Sequence, residues 1–383
     1  MMKRITNWLE TRACAPSYGG WVLAGIAISF FGAAINTMAG WLYVISGVSV
    51  AMLVIAAYLP PRSLAALTVS RRYIEPVTAG DELTVELHIL NQTKKSVSLL
   101  QVEDILPFVL GKSMKKSVEN ILPGETYQWV YYHPTERRGV YRWHNVELGS
   151  GAPLGLFWCR RQHDCAATAF VYPTVLPLSH CPLVDNIGQE DCIQGDPLGK
   201  PLQAANEGII RSLRPYRNGD PMRMIHWRTS ARYGEFRVRE LELLTAGQDI
   251  IIALDSAAKW EEENLENAVI TAASLYFYAH KQQMQVQLWT AATGLVRGKR
   301  VVLETLAATT TTEDPSATVP ENSPMIWLTE NPATLTNLPQ GSRWVLWQTD
   351  VHQKQIVNRN SLGVIVDKEQ SLQLQLQKTL SVS

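Results

Sequence analysis

A chain of 383 residues with 35 basic and 35 acidic side chains carries no net charge, which excludes a general electrostatic pull toward nucleic acid. Charged residues make up 18% and apolar residues 46%, a balance lean in charge for a soluble protein that points to membrane segments. The five cysteines (Cys14, Cys159, Cys165, Cys181, Cys192) are irregularly spaced and include no C-x-x-C pair, so neither a zinc site nor a disulfide framework is indicated and reduced thiols are expected.

After a short N-terminus (1–18), no charged side chain occurs between Arg12 and Arg62. Within that span, GGWVLAGIAISFFGAAINTM and WLYVISGVSVAMLVIAAYL are each roughly 20 residues, enough for a helix of about 30 Å, the hydrocarbon thickness of a bilayer. The separating NTMAG reads as a turn, which predicts a transmembrane helical hairpin over 19–60. Trp21, Trp41, Tyr43 and Tyr58 lie near its four ends, where amphipathic rings prefer the interface. Lys3, Arg4 and Arg12 precede the hairpin and Arg62, Arg71 and Arg72 follow it, while its turn carries no charge. The positive-inside rule then places both termini and all soluble domains in the cytoplasm, on a two-pass protein of the plasma (inner) membrane.

Residues 64–180 show period-two runs such as DELTVELHIL, YQWVYYHP and GVYRWHNVEL. Turn signals separate them at Thr78-Ala79-Gly80-Asp81, Asn91-Gln92-Thr93, Pro123-Gly124 and Arg138-Gly139. The pattern predicts an all-β, immunoglobulin-like sandwich. Residues 181–207 are rich in Pro, Gly, Asn, Asp and Gln and read as a linker or long loop.

Residues 208–248 form an arginine-rich segment. Between 211 and 242, eight arginines (Arg211, Arg214, Arg217, Arg223, Arg228, Arg232, Arg237, Arg239) face four carboxylates (Asp220, Glu235, Glu240, Glu242), a surplus of four positive charges. Asp220 is a good N-cap, Pro221 suits the first helical position and Gly234 lies where a glycine would end the helix, so 221–232 is read as a helix. The following EFRVREL alternates and reads as a strand with one charged face.

From 249 to 383 the pattern becomes α/β. DIIIALD suits a buried parallel strand. KWEEENLENAVITAASLYFYAHKQQ places Leu265, Val269, Ala272, Leu275, Tyr276 and Ala279 on one helical face, with Glu261, Glu262 and Glu263 in its first turn. Strand-like runs follow at QVQLWT, PMIWLT, RWVLWQ and LGVIVD; 307–320 reads as a mobile Thr-rich loop, and QSLQLQLQKTL as a closing helix. Together they predict a parallel sheet wound on both faces.

The stretch LRPYRNGDPMRMIHWRTSARYGEFRVRELE resembles the signature of the domain of unknown function 58 family, roughly R-x-Y-x-x-G-D-x-x-R-x-I-H-W-x-x-S-A-R. Arg214, Tyr216, Gly219, Asp220, Arg223, Ile225, His226, Trp227, Ser230, Ala231 and Arg232 match it. Upstream, ERRGVYRWHNVELGSGAPLGLF is similar to that family's R-R-G-x-Y stretch ending in D-P-F-G-L-F, with Ala152 replacing the Asp and Leu154 the first Phe. The resemblance implies membrane anchoring and a von Willebrand factor A-like α/β domain after the signature. It also implies genes encoded beside MoxR-type AAA+ ATPases and transglutaminase-like membrane proteins, with a role in remodelling proteins or the cell envelope. Domains of the A-like type hold Mg²⁺ through D-x-S-x-S, because a hard cation takes several oxygen ligands. Here Asp255-Ser256-Ala257-Ala258-Lys259 loses both serines, so no metal or other cofactor is expected and Asp255 should bond Lys259 or backbone.

No Gly-rich phosphate loop, H-E-x-x-H or G-x-S-x-G occurs, and His226 beside Trp227 reads as a packed residue, so the protein is not expected to be an enzyme. Arginines interleaved with aromatics could instead bind anions or nucleic acid, the alternative reading, though the four carboxylates would repel a polyanion. The favoured reading is a membrane-anchored cytoplasmic protein-interaction module, since arginine forks pair bidentately with carboxylates. Its candidate partner-binding residues are Arg214, Tyr216, Gly219, Asp220, Arg223, His226, Trp227, Arg228, Ser230, Arg232, Arg237 and Arg239. Some arginines are expected to latch onto Asp220, Glu235 and the Glu261–Glu266 cluster, leaving others for a partner, the AAA+ ATPase that the resemblance implies.

Overall fold

The computed structural model describes residues 14–187, 209–217, 222, 225, 227, 230–231, 234–242, 249–320, 323–347 and 362–378. They divide into two compact units, Met1–Pro173 and Thr174–Ser383.

The first unit opens with two helices, α1 (Tyr18–Thr37) and α2 (Gly40–Ala65), both long and apolar enough by length and composition to cross a membrane. Ser17 caps α1 by accepting from the Gly20 N–H at 3.3 Å, and Met38, left-handed at φ 52°, ends it. The buried residues of α1 are small and seven apart (Gly20, Ala27, Ala34), and Ser46 Oγ of α2 donates to the Ala27 carbonyl at 2.9 Å. Meanwhile Ile28, Phe31, Ile35, Val44 and Val54 point outward. That arrangement inverts a water-soluble helix pair and matches helices packed through small residues in lipid. The expected hairpin ended at 60, but α2 continues through Pro60 and Pro61 to Ala65. Its last turn buries Leu64 in the core of the following sheets, which is why the helix does not stop at the prolines.

Those sheets are antiparallel and share one core. One contains β2 (Leu67–Arg71), β4 (Glu82–Asn91) and β7 (Thr126–Pro134). The other runs β1 (Ala15–Pro16), β9 (Phe157–Tyr172), β8 (Gly139–Ser150), β5 (Val97–Asp104), β6 (Met114–Ile121), with β3 (Val77–Thr78) parallel to β9. Alternation sets the inward face, as in β4, where Leu83, Val85, Leu87 and Ile89 are fully buried. Asn91 closes that strand, its amide donating to the Lys95, Ile121 and Leu122 carbonyls.

Two corrections arise here. Arg71, counted above among the flanking charges, is a core residue, because it shares the inward parity of Leu67 and Val69 on β2. Its Nη2 meets Asp104 Oδ1 at 2.8 Å, with 2% and 0% of the two side chains exposed. Asp104 also accepts from Tyr131 Oη at 2.7 Å and Trp143 Nε1 at 3.1 Å, and the guanidinium lies over the Trp143 ring. The second concerns the thiols: Cys14 and Cys159 form a disulfide across 145 residues, brought together by the pairing of Ala15 and Pro16 with Trp158 and Phe157.

In the second unit, residues 174–187 depart from the expectation of a sandwich up to 180 and a linker from 181. Instead Leu178, Cys181, Leu183, Val184 and Ile187 pack into the α/β core, and the short helix α3 (Pro182–Asp185) accepts the Tyr278 hydroxyl at 2.8 Å through Asp185. After β10 (Ile209–Pro215) and β11 (Arg237–Glu242) come β12 (Asp249–Leu254), β13 (Gln285–Thr290), β14 (Gly294–Val296), β15 (Met325–Thr329), β16 (Arg343–Trp347) and β17 (Gly363–Val366). The last six form one sheet in the order β14-β13-β12-β15-β16-β17, parallel except for edge strand β14. Helices α4 (Glu262–Lys281), α5 (Lys299–Ala308) and α6 (Leu372–Leu376) accompany it. Both faces are buried: Ile250, Ile252 and Leu254 meet α4 and α5 on one side, while Ile251 and Ala253 meet Trp289, Trp327 and Trp344 on the other. This double burial explains the unbroken apolar run of β12.

Candidate functional site

The arginine-rich segment is built on an antiparallel pair. Pro215, Arg214 and Leu213 of β10 lie opposite Arg237, Val238 and Arg239 of β11. Between them Trp227, Ser230 and Ala231 are helical, and Gly234 at φ 70° returns its N–H to the Ser230 carbonyl at 2.9 Å, as a terminating glycine does. Ser230 is buried and its hydroxyl accepts from the Arg237 N–H at 2.9 Å, tying helix to strand. Ile225 bridges Val238, and both are buried.

Of the expected site residues, the structure gathers Tyr216, Trp227 and Phe236, the last not singled out among the partner-binding residues. The ring of Phe236 stands edge-on to Tyr216 at 6.2 Å and to Trp227 at 6.0 Å. Trp227 and Phe236 are 57% and 56% exposed, so this aromatic cluster faces solvent rather than a core, and Met222 of the same segment is also exposed. Arg237 pairs with Glu235 at 3.7 Å. Arg214 and Arg239 are placed by strand register alone, whereas Gly219, Asp220, Arg223, His226, Arg228 and Arg232 lie outside the described residues, as does Pro221. Within the acidic cluster expected to receive arginines, Glu261 bonds Lys368 at 2.8 Å and Asn264 at 3.2 Å.

A second locus lies where β12, β13 and β15 end side by side. The chain leaves β12 for β13 on one side and β15 for β16 on the other, so the sheet reverses order here, the place where such sheets form a crevice. A cavity of about 470 Å³ opens at that point, lined by Asp255, Trp289, Trp327, Ala317 and Leu338 among others. Lys259 is exposed and does not pair with Asp255; the carboxylate Oδ2 instead accepts from Thr329 Oγ1 at 2.8 Å. Burial pushes the Asp255 carboxyl above the ordinary range, against hydrogen bonds from Thr329, Thr334 and Ala258 that hold it down. Among the described residues no group of three or more His, Cys, Asp or Glu is placed to hold a metal ion. The Thr-rich stretch, expected to be mobile, forms a wall of this cavity. Ser316 and Ala317 donate to the Ala291 carbonyl, and the Thr318 carbonyl accepts from Trp289 Nε1 at 3.1 Å.

The upstream motif also has a position. Its loop, residues 151–156, seats the start of α1: the Gly155 carbonyl accepts from Ser17 Oγ at 2.8 Å and the Leu156 carbonyl from the Ser17 N–H at 2.8 Å.

Residues 212–318 match the model of a family described as Protein of unknown function DUF58. The uncharacterized protein YeaD of Bacillus subtilis is 24% identical over 202 residues, covering 51% of this chain and 48% of that protein. The chain thus spans about half the length of that curated relative. Among solved structures, the CARDB domain of a Pyrococcus furiosus protein aligns over 26% of this chain and 94% of its own length, at 15% identity and a TM-score of 0.18. A beta-glucosidase from Listeria innocua aligns over 27% of this chain and 16% of its own, at 13% identity and a TM-score of 0.16. At such scores neither likeness carries an argument.

Proposed function

We propose that this protein is a membrane-anchored interaction module that acts by binding rather than by catalysis. It carries an immunoglobulin-like sandwich followed by a von Willebrand factor A-like unit, and the signature segment belongs to the second of these. The observation that carries the reading is the solvent-facing pair of Trp227 and Phe236, in ring contact on that segment. Single exposed apolar side chains are ordinary, but touching aromatics set among arginines have the composition of an interface centre. The partner is a protein with an acidic rim around an apolar pocket, and the AAA+ ATPase implied by the sequence resemblance is the candidate. The apolar outward faces of α1 and α2 support insertion in the bilayer.

Orientation rests on charge. Arg71 no longer counts, since it is paired inside the sandwich, but Arg62 and Arg72 remain beside α2, while Lys3, Arg4 and Arg12 lie outside the described residues. The disulfide pulls the other way, because such bonds persist in oxidising compartments. Flanking charge acts first, during insertion, whereas the β1–β9 strand register sets Cys14 beside Cys159 whether the two sulfurs are bonded or reduced. The soluble units are therefore assigned to the cytoplasm.

The test is capture from detergent-solubilised membranes by the full chain and by Trp227→Ser/Phe236→Ser. Two exposed substitutions should leave stability within about 0.5 kcal/mol each. The wild type should retain the ATPase and the variant should lose it. Equal recovery by both chains, or no ATPase with either, refutes the proposal.

A further inference from the structure

The cavity at the ends of β12, β13 and β15 combines three features that call for one kind of ligand. Asp255 is 7% exposed and no lysine or arginine among the described residues pairs with it. A buried carboxylate without a counter-ion is costly, and a cation entering the cavity would remove that cost. The walls add a second feature. Trp289 and Trp327 stack with centroids 5.5 Å apart, and both indole N–H groups are already committed, to the Thr318 carbonyl and to Thr334 Oγ1. What these rings can offer a ligand is therefore their electron-rich carbon surface and no donor. Third, about 470 Å³ falls within the range of small-ligand pockets and far exceeds what a bare ion fills. A divalent ion would want several oxygen ligands, and Ala257 supplies none from its side chain.

We infer that this cavity receives a guanidinium group, the side chain of an arginine on a bound protein segment, held by Asp255 against the tryptophan walls. Guanidinium is favoured over ammonium because its planar fork pairs with a carboxylate while its face lies on an aromatic ring. The cavity lining includes neither Trp227 nor Phe236 of the signature segment, so either proposal can fail alone.

The probe is Nα-acetyl-arginine amide, added to the full chain in detergent, with the thermal shift read against ligand concentration. A ligand that binds only the folded state raises the midpoint increasingly with its concentration, logarithmically once that exceeds Kd. The shift should appear at pH 7, disappear for Asp255→Asn, and disappear for Ala317→Phe, which narrows the cavity while Asp255 itself is kept. Nα-acetyl-citrulline amide, the neutral isostere, should give no shift, and Nα-acetyl-lysine amide should bind at least fivefold more weakly. Agmatine, a guanidinium without a peptide backbone, separates the two sources. Weaker binding than the amide supports an arginine within a polypeptide, whereas tighter binding overturns that source in favour of a free guanidine. No concentration-dependent shift, equal binding of the citrulline or lysine compound, or a Mg²⁺ shift abolished by Asp255→Asn overturns the inference.

Discussion

Replacing Asp104 with alanine should unfold the sandwich far more readily than any surface change. The carboxylate accepts from Arg71 Nη2, Tyr131 Oη and Trp143 Nε1 at 2.8, 2.7 and 3.1 Å, and truncation strands all three donors in the core. With only 2% of its side chain exposed, Arg71 cannot recover its hydration by turning outward. Breaking one side of such a pair costs roughly 3–5 kcal/mol, against a total stability of about 5–15 kcal/mol for a domain. The pair itself is a poor stabiliser. Burial pushes the Asp104 carboxyl up, outweighing the pull of Arg71, Tyr131 and Trp143 in the other direction. Substituting both partners with apolar residues, Arg71→Met/Asp104→Leu, should therefore be less damaging than Asp104→Ala alone. The assay is urea denaturation of the full chain in detergent, followed by hydrogen exchange in Glu82–Asn91 and Thr126–Pro134. A loss below about 1 kcal/mol for Asp104→Ala would show that Arg71 regains water, and a double variant worse than the single would refute the desolvation argument.

Asp255→Asn should raise the thermal midpoint, because the amide keeps an acceptor for Thr329 and removes a buried charge; a lower midpoint contradicts this. The sign with pH follows: the folded-state pKa of Asp255 is raised, so its contribution is complete below the unfolded value of about 3.9 and is lost as pH rises through the folded value. A pH titration of stability should show that loss in the wild type and not in Asp255→Asn. Gly20→Ala should loosen the seat of α1, since a Cβ there would run into the Leu156 carbonyl; a cost of about 1–3 kcal/mol is expected, read as faster proteolysis of the 151–156 loop. Lys112→Cys, at an exposed position, should react with an impermeant maleimide only after cells are opened; labelling on intact cells would reverse the orientation.

What could be read in the sequence was set by short-range pattern. The uncharged span gave two helices, period two gave the inward faces of β4 and β7, and Gly234 ended its helix by the conformation its position predicted. Arg71 was misassigned although the signal was present: counting by two from Leu67 and Val69 puts it on the inner face, but its neighbour Arg72 made the pair look like a membrane flank. Residues 174–187 were obscured by Pro177 and Pro182, which mark loops but do not prevent Leu183, Val184 and Ile187 from packing into the α/β core. Other features depend on tertiary pairing and left no local trace. Cys14 meets Cys159 only because β1 joins β9, and Trp289 meets Trp327 only because both strands flank β12.

Asp104 and Asp255 show how buried charge separates structure from candidate function. Each follows or ends a strand near the edge of a core, and burial raises the pKa of each. Asp104 is surrounded by a guanidinium, a phenol and an indole N–H that use both oxygens, leaving nothing for a ligand to add. Asp255 has hydroxyl and backbone donors, no cation among the described residues, and an open cavity beside it. A chain selected for stability alone would gain by replacing Asp255 with a neutral residue, whereas truncating Asp104 would be damaging. The opposite signs expected for the two substitutions arise from one desolvation cost, met from within the protein at Asp104 and left for a ligand to meet at Asp255.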